Sequence, residues 1–195
     1  MSTVWDDIYR EDRWNGGSGP GSKRETTIVY RGFVEEFIRK NGIICVLDVG
    51  CGDGEVASMV DWWHAEYFGI DPSLEAVTKA RANCIGIPSD RFKVGDSGEG
   101  FKIPNNVADY SLALVKDVFQ HLSFAKIQEL LRSLKGFKHV LATNDIPDSG
   151  EQRDCREGDW RPVDIRRAPL NVKAKEVLQF MSAPLMKSTV HIINF

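Results

Sequence analysis

An apolar run that breaks into alternating glycines limits what this chain can fold into. Ile43 to Val49 is apolar except for Asp48 and rich in β-branched residues. That is the composition of a strand covered on both faces. Gly50, Gly52 and Gly54 follow at alternate positions. Glycine there tolerates positive φ and lets a ligand reach the bare backbone. Val56, Met59, Val60 and Trp63 then fall at helical spacing and predict a helix over 55–63. A strand, a glycine-rich turn and a helix together form a nucleotide-binding device of doubly wound α/β folds.

The next strand supports that reading. Tyr67-Phe68-Gly69-Ile70-Asp71 ends in a carboxylate about 20 residues past the first glycine, where an acid meets ribose hydroxyls. A dinucleotide would favour Gly-x-Gly-x-x-Gly, but the third slot here is Glu55. A carboxylate at that position repels a diphosphate, and acidic residues around the turn favour a cationic ligand.

Asp48-Val49-Gly50-Cys51-Gly52-Asp53-Gly54 resembles the first motif of class I S-adenosylmethionine (SAM)-dependent methyltransferases. Gly69-Ile70-Asp71-Pro72-Ser73 resembles the segment that holds the SAM ribose in that family. The resemblance implies that Asp48, Gly50, Cys51, Gly52 and Gly54 cradle the methionine part of SAM. It also implies that Asp71, Pro72 and Ser73 meet the ribose, and Asp96 with Ser97 the adenine edge. Trp14 followed by Ser18-Gly19-Pro20-Gly21-Ser22 resembles the N-terminal lid of a small bacterial and viral subgroup. That resemblance implies a lid over residues 1–25, with Trp14 and Ser18 on the substrate side.

Elsewhere the chain reads as one α/β domain spanning 1–195. A short helix is expected over 4–12, and an amphipathic helix over 26–41 stopped by Gly42. Ser73 can cap a helix through Asn83, with Pro72 in its first turn. Strands are expected at Phe92–Val94, Ala108–Val115 and His139–Thr143. A helix over 124–134 joins the last two. Residues 175–180 and 188–195 have β character and turn at Pro184, as a closing antiparallel hairpin. The expected fold is a three-layer sandwich around a doubly wound, seven-stranded, mostly parallel sheet. Its order is 3-2-1-4-5-7-6, with strand 7 antiparallel.

The cleft of such a sheet lies beyond the carboxyl ends of its strands, which places Lys116, Asp117 and His121 at the chemistry. If 117–122 is helical, Asp117 and His121 share a face at i, i+4. A carboxylate-oriented imidazole is then the general base. Lys116-Asp117-Val118 with Gln120-His121, and Arg161-Pro162 with Asp164, again resemble the lid-bearing subgroup. Residues 145–173 form a polar loop where a helix is usual, which marks it as functional. Its arginines suit an anionic group, so Trp160 and Arg161 are expected to face the substrate. Asn144-Asp145-Ile146-Pro147 follows strand 5. It is not the Asn-Pro-Pro-Tyr signature of adenine-N6 methyltransferases.

A net charge of −3 over 195 residues provides no general basic field for nucleic acid. No apolar run approaches a membrane span, and the N-terminus lacks a signal core. Four cysteines without a C-x-x-C pair fit reduced thiols in the cytoplasm. No metal site is expected from the spacing of histidines and cysteines. The leading expectation is a SAM-dependent methyltransferase acting on a hydroxyl of a small, sugar-like or anionic acceptor. The competing readings are a nucleic-acid or protein methyltransferase and a non-catalytic SAM-binding module.

Overall fold

A computed structural model describes residues 3–96, 105–148, 150–182 and 185–192. Seven strands form one sheet in the order β3-β2-β1-β4-β5-β7-β6. These are β1 (Cys45–Val49), β2 (Glu66–Asp71), β3 (Phe92–Val94), β4 (Ser111–Lys116), β5 (His139–Asp145), β6 (Ala174–Ser182) and β7 (Leu185–Ile192). The first five are parallel to one another, and β7 runs antiparallel to both β5 and β6. The expected order and direction both hold. The expected hairpin turn at Pro184, the end of the last strand at 193–195 and the candidate Ser97 lie outside the described residues.

Helices α2 (Ile28–Asn41) and α3 (Leu74–Asn83) pack on one face of the sheet, and α4 (Phe124–Ser133) packs on the other. Val34 and Ile38 of α2 are fully buried, each worth about 1.5–3 kcal/mol of burial. Gly42 ends α2 at φ 59°, a left-handed C-cap that needs no side chain. Ser73 and Ser123 cap α3 and α4 by accepting the Ala76 and Lys126 N–H groups. Among the described residues no helix follows β5, and the loop there buries Val163, Ile165 and Leu170 in the α4-side core.

Three local expectations fail. Residues 55–63 hold only a single 3-10 turn at Ala57–Met59. The Ala57 carbonyl accepts the Trp62 indole N–H at 3.0 Å, and the Asp61 N–H goes to Glu35 Oε1 at 3.0 Å. The bond that would carry a helix from 57 to 61 is thus lost at both ends, and Trp63 turns to φ 54°. Residues 105–110 are a 3-10 segment rather than the start of β4, and Asn144 and Asp145 belong to β5 rather than to a following loop.

Candidate active site

The carboxyl ends of β1, β2, β4 and β5 open into one cavity of about 850 Å³. Its floor is the glycine turn. Gly50 and Gly52 have φ 75° and 59°. A Cβ on Gly50 would lie 2.3 Å from Val118 Cγ2, and one on Gly52 would lie 2.2 Å from Ser18 Oγ. Both positions therefore need glycine for conformation and for space. Gly54 does not line the cavity. A Cβ there would meet Cys84 Sγ at 2.7 Å and the Ala80 Cα at 3.0 Å, so Gly54 serves the packing of α3 and not a ligand contact.

Two carboxylates flank this floor. Asp71 accepts the Gly52 N–H at 3.0 Å and the Ser73 N–H at 2.9 Å. Asp48 accepts the Tyr67 hydroxyl at 2.8 Å. Burial pushes Asp71 up to about 7 and Asp48 up to about 6, against the lowering effect of those hydrogen bonds. Neither carboxylate is in an ion pair among the described residues. The floor is thus short of positive charge, which favours a cationic ligand over a diphosphate.

That shortage has a measurable consequence. Asp48 titrates near 6 when folded against 3.8 for an ordinary aspartate, so the folded chain binds the extra proton between those values. Its contribution favours folding below the unfolded pKa and is lost as pH rises through the folded one. In thermal melts without cofactor, Asp48→Asn is expected to gain Tm over the parent chain as pH rises from about 4 to about 8. A difference that stays flat with pH would contradict this electrostatics.

The N-terminal segment closes the cavity from above. α1 (Val4–Arg10) carries a capping box at Thr3 and Asp6. Asp6 also accepts from Ser73 Oγ at 2.9 Å and from the Leu74 N–H at 2.8 Å. Ser73 is therefore buried as a cap and as a partner of Asp6, rather than turned toward a ribose. Ser18 donates through Oγ to Asp53 Oδ1 at 2.7 Å and through N–H to Asp53 Oδ2 at 3.1 Å, while the Asp53 N–H returns to Ser18 Oγ at 2.9 Å. With that serine proton committed, the Tyr9 hydroxyl, 2.9 Å away, donates to it. Lys23 pairs with Glu55 at 2.8 Å. The segment expected to act as a lid is thus clasped onto the glycine turn by Asp53 and Glu55.

Beyond the floor, a chain of charges joins three segments. Lys116 donates to the Gly21 carbonyl at 2.8 Å and to Asp117. Lys187 donates to Asp117 and to Asp145, both at 2.7 Å. The Trp160 indole donates to Asp145 at 3.1 Å. Burial alone would raise Asp117, but the two ammonium groups hold it below the usual carboxylate range. Asp117 sits at φ 58°, which turns its carboxylate toward these lysines. It does not orient His121. The residues between form a 3-10 turn at Phe119–His121, and His121 Nδ1 lies 2.8 Å from the Asp159 carbonyl. A carbonyl accepts only, so Nδ1 carries the proton and Nε2 keeps its lone pair. Burial lowers the His121 pKa, which keeps the ring neutral. Trp14 and Trp5 pack on it at centroid distances of 5.1 and 6.5 Å.

Three arginines of the 145–173 loop, Arg161, Arg166 and Arg167, are not free cations. Arg161 donates to the carbonyls of Arg153, Phe119 and Leu122 at 2.7–2.8 Å. It lies off the cavity wall and holds the loop together, so the expected substrate contact is replaced by a structural one. Arg166 and Arg167 pair with Asp164. Of the remaining candidates, Trp14, Ser18, Cys51, Pro72, Asp96, Lys116 and Trp160 all line the cavity. Cys51 is a buried thiol whose pKa burial raises, and Asp96 is an exposed carboxylate 3.9 Å from Lys126. The sequence reading missed Trp5, Tyr9, Asp145 and Lys187. Lys187 lies just before the expected start of the last strand at Ser188, whereas β7 begins at Leu185. Trp5 and Tyr9 fall at i, i+4 on a helix that carried no motif. All four cysteines are free, and no group of three metal-ligating side chains occurs among the described residues.

Residues 46–140 match the family model of a methyltransferase domain. The chain resembles that family over this stretch, a little under half of its length. Its fold is shared with magnesium protoporphyrin IX methyltransferase (ChlM) from Synechocystis PCC 6803 with bound SAM. The TM-score is 0.65 at 16% identity, over 98% of this chain and 96% of that one. The methyltransferase domain of bacterial CtHen1-C aligns with TM-score 0.57 and 16% identity, over 85% of this chain and 97% of that one. A Nostoc punctiforme PCC 73102 protein designated an O-methyltransferase aligns with TM-score 0.61 and 15% identity, over 91% of this chain. This chain spans only 62% of that protein's length. No curated protein matches by sequence. The ChlM structures hold SAM in one case and S-adenosylhomocysteine (SAH) in another. No helix among the described residues is long and apolar enough to cross a membrane.

Proposed function

We propose that this chain transfers a methyl group from SAM to a hydroxyl of a small-molecule acceptor. The observation that carries this reading is the state of His121: proton fixed on Nδ1, lone pair on Nε2, ring on the wall of a lidded cavity. SAM supplies an electrophilic methyl group on a sulfonium. The chain's own residues bind, align and accept a proton. Asp71 holds the ribose hydroxyls with the lone pairs left after its two backbone bonds. The backbone of Gly50, Cys51 and Gly52 carries the methionine part, with Asp48 beneath it. Asp96, with Ser97 beside it in sequence, takes the adenine edge.

The lid residues Trp14 and Ser18 to Ser22 exclude water. Such closure aligns the acceptor and removes the competing nucleophile. Nε2 of His121 takes the hydroxyl proton as the oxygen is methylated. Lys116 and Asp117 fix the lid and the end of β4 rather than handling that proton. The fixed network keeps the wall in place during transfer.

The pH dependence of single-turnover methyl transfer tests this. The rate is expected to fall on the acid side, with an apparent pKa below the ordinary histidine value of about 6.5. Loss of activity only above pH 9, with no acid limb, would rule out histidine as the base.

A further inference from the structure

We infer that the acceptor is an uncharged aromatic hydroxyl, a phenol-class ring stacked on the wall formed by Trp5, Trp14 and His121. This rests on the methyl-transfer reading above. Three observations narrow the acceptor to that class.

The first is the wall itself. Trp5 and Trp14 lie 6.3 Å apart and both contact the His121 ring. Trp160 lines the same cavity with its indole N–H fixed on Asp145. Aromatic rings gain most from flat, offset or edge-on partners.

The second is charge. The lysines on the cavity wall are each paired: Lys116 with Asp117, Lys126 with Glu129, and Lys187 with Asp117 and Asp145. Among the described residues no arginine lines it. An anionic acceptor therefore finds no free cation. A sugar would need several hydrogen-bond partners at once, and the charged groups that line the cavity at the ends of β4 and β5, Lys116, Asp117 and Asp145, are already committed.

The third is the base. A neutral imidazole whose pKa burial has lowered is a weak proton acceptor. A phenolic hydroxyl titrates near 10, whereas a water-like hydroxyl holds its proton far more tightly. His121 can assist loss of the first proton far more readily. In the step, the oxygen forms its bond to the methyl carbon as the carbon–sulfur bond breaks and its electron pair stays on sulfur. The phenolic proton passes to Nε2 and then to water. The products are the methyl ether, SAH and one proton.

The test incubates the full chain and SAM with 2-naphthol, methyl α-glucoside or glycerol 3-phosphate at equal concentration, and measures SAH and methylated product. The expected result is methylation of 2-naphthol at least about 100-fold faster than of either other acceptor. Trp5→Ala is expected to raise the KM for 2-naphthol about tenfold with kcat and SAH affinity little changed, and Trp5→Phe to restore it. Preference for the glucoside or the phosphate ester overturns the inference. So does binding of SAH with turnover on none of the three. Failure to bind SAH at all is a different outcome, which overturns the methyl-transfer reading beneath it.

Discussion

Lys187→Met is expected to destabilise the fold by about 3–5 kcal/mol, the cost of removing one partner from a buried ion pair. The lysine side chain is 4% exposed and sits between Asp117 and Asp145, which are 16% and 6% exposed. Methionine fills the volume but leaves Asp145 with only the Trp160 indole and Asp117 with only Lys116. Burial then acts on the Asp117 carboxylate with one ammonium group fewer to oppose it. Equilibrium denaturation at neutral pH measures the loss, and a second substitution, Asp145→Asn, should recover part of it. A loss under about 1 kcal/mol would mean that the network is solvated and behaves like a surface pair.

The second large effect falls on turnover. His121→Gln is expected to lower kcat by about 10²–10⁴-fold, the usual worth of a positioned general base. Glutamine keeps a polar side chain near the Asp159 carbonyl but has no basic nitrogen. SAH affinity should stay within about twofold, because the cofactor contacts proposed above lie on β1, β2 and the turn after β3. The acid limb of the pH–rate profile should vanish with the imidazole. A kcat within a factor of about three of the parent would show that the acceptor loses its proton to solvent.

What the sequence could show follows from how local each signal was. The strand order was legible because each strand carries its own apolar run and the glycine turn orients the first crossover. The cofactor floor was legible for the same reason: Gly50, Gly52 and Asp71 sit in short motifs whose spacing reflects backbone geometry. The helix after Gly54 was misread because its apolar spacing is real but its hydrogen bonds go elsewhere, to the Trp62 indole and to Glu35. Helical periodicity says nothing about such competitors.

The acceptor side was harder because its contacts are long-range. The i, i+4 spacing pairs Asp117 with His121, whereas its partners are the adjacent Lys116 and Lys187, seventy residues away. Arg161 has the chemistry of an anion ligand, and only the fold shows its guanidinium spent on three carbonyls. Charges interleaved along a loop cannot reveal which of them pair.

Isothermal calorimetry of the full chain with SAM and with its thioether product SAH tests the central claim most directly, because it asks whether a charge-deficient glycine floor takes a sulfonium nucleoside. One-to-one binding with a Kd in the micromolar range, about −8 kcal/mol, is expected, weakened at least about tenfold by Asp71→Ala. No heat with SAH or SAM, together with tight binding of a nicotinamide dinucleotide, would contradict the account.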